Sequence, residues 1–284
     1  MLYVPGSDLH KCEKALASES DSVIFDLEDA VSPSMKQEAR GIVCELLQKH
    51  GTVSKKELVV RVNQVSTLTG IDDILAIARC PVDVILVPKA CTNDVIVADS
   101  MISSIEQSLG LPAGKIRMIG LIETALGLLQ LPELLRATCR LDGLQMGAED
   151  LTKELEITRT SAGAEIHYAR HSMVVAARAF GVDAIDTPYA DFRDMEGLKA
   201  DIAVCRQIGM QAKTAIHPGQ IAAINEAFTP SDAEIAQARQ IVDAYADALA
   251  KNLGSISLDG KMIDAPIAER ARKIVEKASL VSRL

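Results

Sequence analysis

The chain has no tryptophan, and aromatic residues make up only 3% of its 284 residues. This shortage argues against an aromatic-rich β-sandwich, because the core has to be built from Ala, Val, Ile and Leu. Hydrophobic residues nevertheless reach 48%, which is enough to bury a sizeable core in one large α/β domain or two small ones. The composition therefore favours a parallel sheet covered by helices.

The six cysteines are scattered and form no CxxC pair, so neither a disulfide framework nor a zinc site is indicated. We expect reduced thiols, several of them in the core. A formal net charge of −9 and a pI near 5.1 argue against nucleic acid as the main partner, since phosphate binding needs a clustered basic face.

Long hydrophobic runs are also missing. No uninterrupted apolar segment reaches the ~18 residues that suggest a membrane span, and the chain starts almost directly on a strand-like segment, "LYVPG". A basic segment followed by an apolar one, as in a secretory signal peptide, does not precede it. We therefore expect no membrane partner and a cytoplasmic protein.

Short β-branched segments alternate with longer helical patterns, which is typical of repeated βα units in a parallel sheet. Eight such strand-like segments occur, at residues 2–4, 22–27, 57–63, 83–88, 118–123, 143–148, 183–188 and 212–217. Eight strands separated by helices predict an α/β fold, a (β/α)8 TIM barrel, over residues 1–228. Residues 229–284 are surplus to the barrel and predict a C-terminal helical extension.

Polar residues are concentrated where the predicted strands end. In a (β/α)8 barrel the active site forms at the carboxyl ends of the strands, so these side chains are the candidates for chemistry. They are Asp26, Glu28, Asp29, Arg61, Asn63, Lys89, Glu123, Glu149, Asp150, Asp186 and His217.

Glu123 and Asp150 each follow an apolar segment, and the two segments are neighbours in the predicted sheet. Their carboxylates would meet at one mouth of the barrel, where oxygen ligands suit Mg²⁺. Each residue is alternatively explained as a cap of the helix that follows it. Taken together with Arg61, the pattern favours the metal interpretation.

Arg61 interrupts a strand of valines in "VVRVN". A buried guanidinium without a partner would cost several kcal/mol, so Arg61 needs an acidic neighbour or a ligand carboxylate. Glu28 or Asp29 would serve as the structural neighbour. A cation site together with an arginine fork at one barrel mouth predicts a small anionic substrate, such as a 2-oxo or 2-hydroxy acid.

Three other positions have both a functional and a structural interpretation. Gly147 would let the backbone N–H groups near Ala148 and Glu149 approach a ligand carboxylate, or it simply forms a tight βα turn. Lys89 is a Schiff-base candidate, but a lysine near acidic residues is better explained as an ion-pair partner. His217 precedes a proline, which favours a structural corner over a general base.

Ten segments, in this order, resemble the citrate lyase β-subunit-like family of acyl-thioester lyases, which includes citramalyl-CoA and malyl-CoA lyases. The resemblance covers nearly the whole chain. The segments are "LYVPGSD", "VIFDLEDAV", "KQEAR", "VVRVN", "ILVPKA", "LIETALGLL", "MGAEDL", "AIDTPYADFRD", "TAIHPGQIAAINEAFTPS" and "LDGKMIDAPI".

This resemblance implies a trimeric or hexameric (β/α)8 barrel that uses Mg²⁺ to cleave or form a carbon–carbon bond between an acetyl thioester and a 2-oxo acid. It implies metal binding by Glu123 and Asp150 and carboxylate binding by Arg61. Further implied roles are a shell around the metal waters for Glu28 and Asp29, and acid/base catalysis across a subunit boundary for Asp264.

The substrate carrier remains open between CoA and an acyl carrier protein, as in citrate lyase complexes. The "IHPGQI" segment and the full C-terminal arm favour the CoA-dependent members. A metal-dependent aldolase acting on free 2-oxo-3-deoxy acids is a second candidate. For Asp264, a simple helix cap before Pro266 is the structural alternative.

Overall fold

The structure is a computed structural model, and it describes residues 1–281. The described residues form two compact units, residues 1–224 and the residues from 225 onward. None of the helices within the described residues is long and apolar enough to cross a membrane.

The first unit contains a sheet of eight parallel strands that are paired in chain order. The strands are β1 (Leu2–Pro5), β2 (Ser22–Asp26), β3 (Glu57–Arg61), β4 (Val84–Val87), β5 (Arg117–Ile122), β6 (Leu141–Met146), β7 (Asp183–Asp186) and β8 (Ala212–Lys213). Beyond β8, Ala215 bridges to Leu2 in parallel, so the last strand segment is hydrogen-bonded to the first and the sheet closes. The predicted (β/α)8 barrel is confirmed.

Helices follow the strands and cover the outside of the barrel. They are α1 (Leu9–Leu16), α2 (Lys36–His50), α3 (Leu68–Ile77), α4 (Thr92–Leu109), α5 (Ala125–Leu129), α6 (Leu131–Ala137), α7 (Ala148–Glu154), α8 (His167–Phe180) and α9 (Met195–Ile208), then α10 (Ile221–Phe228). Helices α8 and α9 both end at a glycine in the left-handed conformation, which terminates the helix before the next strand.

The barrel interior is filled by aliphatic side chains from the strands. Because side chains alternate along a strand, every second residue points to the axis and the others pack under the helices. The inner cluster comprises Ile24, Val59, Val84, Leu86, Ile119, Leu121 and Ile185, with Met1, Tyr3 and Ala212 packed against it. The polar side chains lie above this aliphatic cluster, at the carboxyl end of the barrel.

The eighth strand is shorter than expected, because only residues 212 and 213 pair with β7. Thr214 uses its backbone N–H and its hydroxyl to bond the carbonyl of Asp186, and Ala215 then turns to β1. The predicted strand over residues 212–217 thus ends early, since its second half bridges to β1 and then turns into Pro218.

The second unit contains two further helices, α11 (Asp232–Ala250) and α12 (Ala265–Val281), and a hairpin of β9 (Ser255–Leu258) and β10 (Lys261–Asp264). Ser231 and Glu234 form the capping box of α11. The hairpin turn consists of Asp259 and Gly260, which both have positive φ, as a two-residue turn of this kind requires. The predicted helical extension with a short hairpin is present.

A fully buried ion network holds β7 and β8 to the helices around them. Arg170 donates two hydrogen bonds to Asp186, both at 2.8 Å, and a third to Asp201 at 2.7 Å. The Lys213 ammonium lies 2.6 Å from Asp186 and 2.7 Å from Asp201. Two cations and two anions balance, but each depends on the others because the network is out of water.

Lys213→Met should lower the free energy of unfolding by about 3 kcal/mol, because it leaves the two buried aspartates facing one arginine. Urea unfolding followed by circular dichroism would measure the loss. The matched control is Lys199→Met on α9, whose side chain is 59% exposed. Equal stability of the two variants would contradict the role of the network.

Candidate active site

Glu123 follows β5 directly and lies at the carboxyl end of the barrel with only 3% of its surface exposed. The helix after it is capped by Thr124, whose hydroxyl accepts a hydrogen bond from the N–H of Gly127. The capping interpretation of Glu123 is therefore wrong. Its carboxylate instead lines a cavity of about 420 Å³ at the mouth of the barrel.

Asp150 lies in the first turn of α7, two residues inside a helix whose cap residue is Gly147. Its side chain does not cap the helix, and it lines the same cavity as Glu123. Gly147 is needed for another reason, since a Cβ there would come within 2.6 Å of the Glu123 carboxylate oxygen Oε2. The glycine makes room for the carboxylate.

Lys89 connects these acids. Its backbone has a φ of +48°, a left-handed conformation that is uncommon for residues other than glycine. In this conformation its N–H donates to Glu123 Oε1 at 2.7 Å. Its ammonium lies 3.0 Å from Glu28, 3.5 Å from Asp150 and 3.8 Å from Glu123. The ion-pair interpretation of Lys89 is the one that the geometry supports.

The acids and Lys89 shift one another's proton affinity. Burial, aided by the neighbouring Glu28 carboxylate, raises the pKa of Glu123 to about 7 although Lys89 opposes the shift. Burial alone would lower the pKa of Lys89, but Glu123, Glu28 and Asp150 raise it. The site is therefore a pocket of buried negative charge that holds a cation strongly.

Arg61 ends β3 and forms a two-bond fork with Asp26, at 2.7 Å from Nε and 2.6 Å from Nη2. Asp26, rather than Glu28 or Asp29, is thus its main structural partner. Nη1 lies 3.2 Å from Glu28 and 3.8 Å from Asp29. Asp26 occupies the edge formed by Nε and Nη2, Glu28 lies beside Nη1, and the Arg61 side chain lines the cavity.

Lys36 fixes the backbone at Glu28, because its ammonium donates to the carbonyls of Leu27 and Glu28 at 2.8 and 2.6 Å. Burial raises the pKa of Glu28. Its Oε2 is buried and has no hydrogen-bond partner within the described residues. Asp29 is largely exposed, at 63% of its side chain, and it lines the cavity rim.

In the turn after β6, two of the backbone N–H groups that were expected to approach a ligand already have partners within the protein. The Gly147 N–H bonds the carbonyl of Ile122, and the Ala148 N–H is directed to the Thr187 hydroxyl at 3.3 Å. The Glu149 carboxylate pairs with Arg159 at 3.1 Å and lies on the cavity wall.

Several candidates from the sequence do not join the site. Asp186 belongs to the buried ion network, and Asn63 bonds Asp73 and the carbonyl of Leu27. His217 caps the turn at Pro218, with its Nδ1 accepting from the Gly219 N–H, and its ring stacks on Phe192. These residues are structural.

Asp264 is the last residue of β10, in the second unit. Its carboxylate accepts a hydrogen bond from the N–H of Ile267 at 3.2 Å, as a residue at the start of a helix does. Within its own chain, Asp264 therefore makes the contact of a helix cap.

Two site residues were not expected from the sequence. Tyr3 lies beneath Arg61, with the guanidinium carbon 5.1 Å from the ring centroid, and Gln145 donates to the Tyr3 hydroxyl at 2.5 Å. Both line the cavity. The available signal was a single polar residue within the apolar segment "GLQMGA", since alternation along a strand directs Gln145 to the barrel axis.

The donor set fits Mg²⁺. No group of three or more His, Cys, Asp or Glu side chains within residues 1–281 is arranged to hold a metal ion. The carboxylates of Glu123 and Asp150 both lie within 4 Å of the Lys89 ammonium, so the two acids already stabilise a positive charge between them. Mg²⁺ typically takes one or two protein carboxylates and fills its other positions with water and substrate oxygens.

Comparison with known proteins gives a consistent result. The model of the HpcH/HpaI aldolase/citrate lyase family matches residues 1–218. The citrate lyase subunit beta of Haemophilus influenzae is 38% identical and covers 98% of this chain and 96% of its own length. The L-malyl-CoA/beta-methylmalyl-CoA lyase of Cereibacter sphaeroides is 33% identical and covers 99% of this chain and 94% of its own length.

Solved structures agree over the whole fold. CitE from Mycobacterium tuberculosis in complex with magnesium, acetoacetate and coenzyme A has a TM-score of 0.79 and 28% identity, and covers 98% of this chain and 97% of that one. The citrate lyase beta subunit of the same organism complexed with oxaloacetate and magnesium has a TM-score of 0.66 and 29% identity, covering 81% of this chain and 96% of that one.

The raised pKa of Glu123 predicts a stability cost that grows with pH when no metal is added. Between its ordinary value of 4.5 and about 7, Glu123 ionises in the unfolded chain but stays protonated in the folded one. Folding therefore loses stability as pH rises through this window, by up to about 3 kcal/mol.

Glu123→Gln should remove this loss, so that the variant gains stability over the original chain between pH 5 and pH 8 in the presence of EDTA. Thermal or urea unfolding at several pH values would measure it. Glu45→Gln, at an exposed position on α2, is the control, and its pH profile should parallel that of the original chain because Glu123 is retained. Parallel pH profiles for Glu123→Gln and the original chain would refute the prediction.

Proposed function

Because the chain belongs to the HpcH/HpaI aldolase/citrate lyase family, we propose that it is a Mg²⁺-dependent carbon–carbon lyase for the thioester of a 2-hydroxy acid, in which the hydroxyl-bearing carbon carries the free carboxylate and lies β to the thioester carbonyl. The products are an acetyl thioester and a 2-oxo acid, as for a malyl-CoA or citramalyl-CoA substrate. The observation that supports this most is the cavity in which Glu123 and Asp150 surround one cation position while Arg61 lines the same cavity.

Glu123 and Asp150 would hold Mg²⁺, and Glu28 and Asp29 would contact the waters around it. When bound, Mg²⁺ acts as a Lewis acid that lowers the pKa of the substrate hydroxyl and stabilises the forming 2-oxo acid. The Lys89 ammonium favours the charged forms of Glu28 and Glu123, because it opposes the rise in their pKa that burial causes.

Arg61 would bind the carboxylate of the 2-hydroxyacyl unit through Nη1 and Nη2. Asp26 fixes the guanidinium in one orientation from the opposite edge, and the Tyr3 ring supports its face. A carboxylate held in this way brings its 2-carbon to the acidic pocket, which is the positioning that a cleavage step requires.

In the cleavage step the bond breaks between the hydroxyl-bearing carbon and the carbon next to the thioester carbonyl. The electron pair of this bond forms the enolate of the acetyl thioester. The hydroxyl would give its proton to one of the carboxylates beside the site, Glu28 or Asp29, and its oxygen becomes the carbonyl of the 2-oxo acid. The enolate carbon must then receive a proton from a positioned acid. We assign this role to Asp264, which would act on the site of a neighbouring subunit in a trimer or hexamer.

The carrier of the acyl group is either CoA or an acyl carrier protein. The 38% identity to a citrate lyase subunit beta favours a citryl group on a carrier protein, and the 33% identity to a malyl-CoA lyase favours CoA. A CoA carrier needs basic groups for its nucleotide phosphates, and two lysines that the sequence places near the barrel mouth, Lys11 and Lys36, already have partners. Lys36 bonds two carbonyls near the site, and Lys11 pairs with Asp8.

A coupled assay for acetyl thioester release tests the proposed function. The full chain is incubated with Mg²⁺ and malyl-CoA, citramalyl-CoA, a citryl thioester or a free 2-oxo-3-deoxy acid. We expect cleavage of a thioester, loss of turnover in EDTA, and loss of Mg²⁺-dependent turnover in Glu123→Ala but not in Glu45→Ala. Cleavage of the free acid alone would favour the aldolase, and no cleavage of any thioester would reject the proposal.

Asp264→Asn should lower kcat by about 10²- to 10⁴-fold and leave Mg²⁺ affinity nearly unchanged, because it removes the proton donor but not the metal ligands. Mixed oligomers of Asp264→Asn and Glu123→Ala chains should regain activity, since one intact site can be built across the boundary. Calorimetry and the coupled assay give the two readouts. An absence of rescue would confine Asp264 to its own chain or to its capping role.

A further inference from the structure

Cys44 and Cys80 lie next to each other among the helices that cover the barrel, and the mechanism above uses neither of them. Cys44 belongs to α2, and Cys80 follows the C-terminal end of α3. Both side chains are partly exposed. The Cys80 thiol donates a hydrogen bond to the Ala76 carbonyl at 3.5 Å, and it accepts one from the Cys44 thiol. The two thiols are therefore in contact.

The packing of α2 against α3 holds the two cysteines in this position. One turn before Cys44, Arg40 donates to Asp73 on α3 at 2.7 Å. Beyond Cys44, Gly51 at the end of α2 lies so close to the turn after α3 that a Cβ on it would overlap the Pro81 carbonyl oxygen. Residues 40, 44 and 51 share one face of α2, because their spacing matches the helical repeat. Contacts on both sides of the pair thus fix its place in the fold.

The pair differs from the cysteines of the core. Cys12 and Cys205 are fully buried, and burial raises the pKa of each thiol to about 12, which makes them unreactive. The pKa of Cys80 is instead lowered to about 7, because the Cys44 thiol and then the Gln48 side chain donate hydrogen bonds to it. The same contact raises the pKa of Cys44. One thiol that ionises readily thus lies beside a second that keeps its proton, as in a nucleophilic and a resolving cysteine.

The surroundings of the pair favour oxidation over the binding of a metal ion. Within residues 1–281 no group of three or more His, Cys, Asp or Glu side chains is arranged to hold a metal, whereas a structural zinc ion takes four ligands. The charged groups that act on Cys44 are Arg40 and Asp73, which are paired with each other. Two adjacent thiols, one of them readily ionised, are what the formation of a disulfide requires.

We propose that Cys44 and Cys80 are an oxidation site at which a peroxide forms a disulfide that joins α2 to the turn after α3. The Cys80 thiolate attacks one peroxide oxygen, the O–O bond breaks, and the leaving hydroxide takes up a proton to become water, so that Cys80 becomes a sulfenic acid. The Cys44 sulfur then attacks the Cys80 sulfur, and the proton of Cys44 leaves with the displaced hydroxide as a second water. Two thiols give two electrons to one peroxide. This inference is independent of the proposed lyase function.

Treatment of the full chain with hydrogen peroxide in the presence of EDTA tests the proposal. The remaining thiols are alkylated, and the chain is digested with trypsin and analysed by mass spectrometry without reduction. Residues 41–49 and 80–89 are tryptic peptides with one cysteine each. We expect these two peptides to be linked in the folded chain, with an intact mass about 2 Da lower, and to be released by dithiothreitol. Linkage of other cysteines instead, or linkage of this pair only in urea, would overturn the proposal.

Single substitutions separate the two roles. In Cys44→Ser the sulfenic acid of Cys80 has no resolving thiol, so dimedone should trap it on residues 80–89. Cys80→Ser should give neither the linkage nor a dimedone adduct at Cys44. Cys139→Ser is the matched control, because Cys139 is an exposed cysteine outside the pair, and it should keep the linkage. An adduct at Cys44 in Cys80→Ser, or none at Cys80 in Cys44→Ser, would overturn the assigned order of attack.

The disulfide should also stabilise the fold, because it closes a loop that contains β3. We expect peroxide to raise the Tm of the original chain by roughly 5 °C, dithiothreitol to reverse the rise, and Cys80→Ser to show no rise. A lower or unchanged Tm of the linked chain would contradict the joining of α2 and α3 in their present packing. The linkage itself is measured on the original chain, so the proposal can be refuted even if a variant does not fold.

Discussion

The site depends on the cost of burying several carboxylates at one end of a hydrophobic barrel. Glu28 and Glu123 are almost fully enclosed, and Asp150 is close to them. Without a cation this arrangement would be strongly unfavourable, because the low dielectric leaves the negative charges unscreened. The Lys89 ammonium provides that charge, and the Lys89 backbone, in a left-handed conformation, donates its N–H to Glu123.

The rest of the barrel mouth supports this charge balance. Gly147 leaves room for Glu123, and Thr124 takes over the capping of α5 so that the carboxylate can turn to the cavity. Asp26 holds Arg61 by the edge formed by Nε and Nη2, and the Arg61 side chain lines the cavity. The result is one cavity with a cationic fork beside an acidic pocket, which is the combination that a metal-dependent reaction of a hydroxy acid needs.

The helices and strands were largely predictable, because the alternation of short aliphatic segments with helical patterns is a local property of the sequence. The position of Glu123 and Asp150 at the carboxyl end of the barrel was predictable for the same reason, since both follow such a segment. The eighth strand was predicted too long, because its second half turns to close the sheet against β1. Pairing with a strand more than 200 residues earlier leaves no local signal.

The sequence by itself determined the barrel, the family resemblance and the acids at the strand ends, because periodicity and ordered motifs are written in neighbouring residues. Only the tertiary structure decided which side chains pair. Arg61 pairs with Asp26, and the Lys89 ammonium lies beside Glu28. Asp186 belongs to a buried ion network, and Gln145 donates a hydrogen bond to Tyr3. Such contacts join residues far apart in the chain, and their energies depend on burial and distance, which no local pattern specifies.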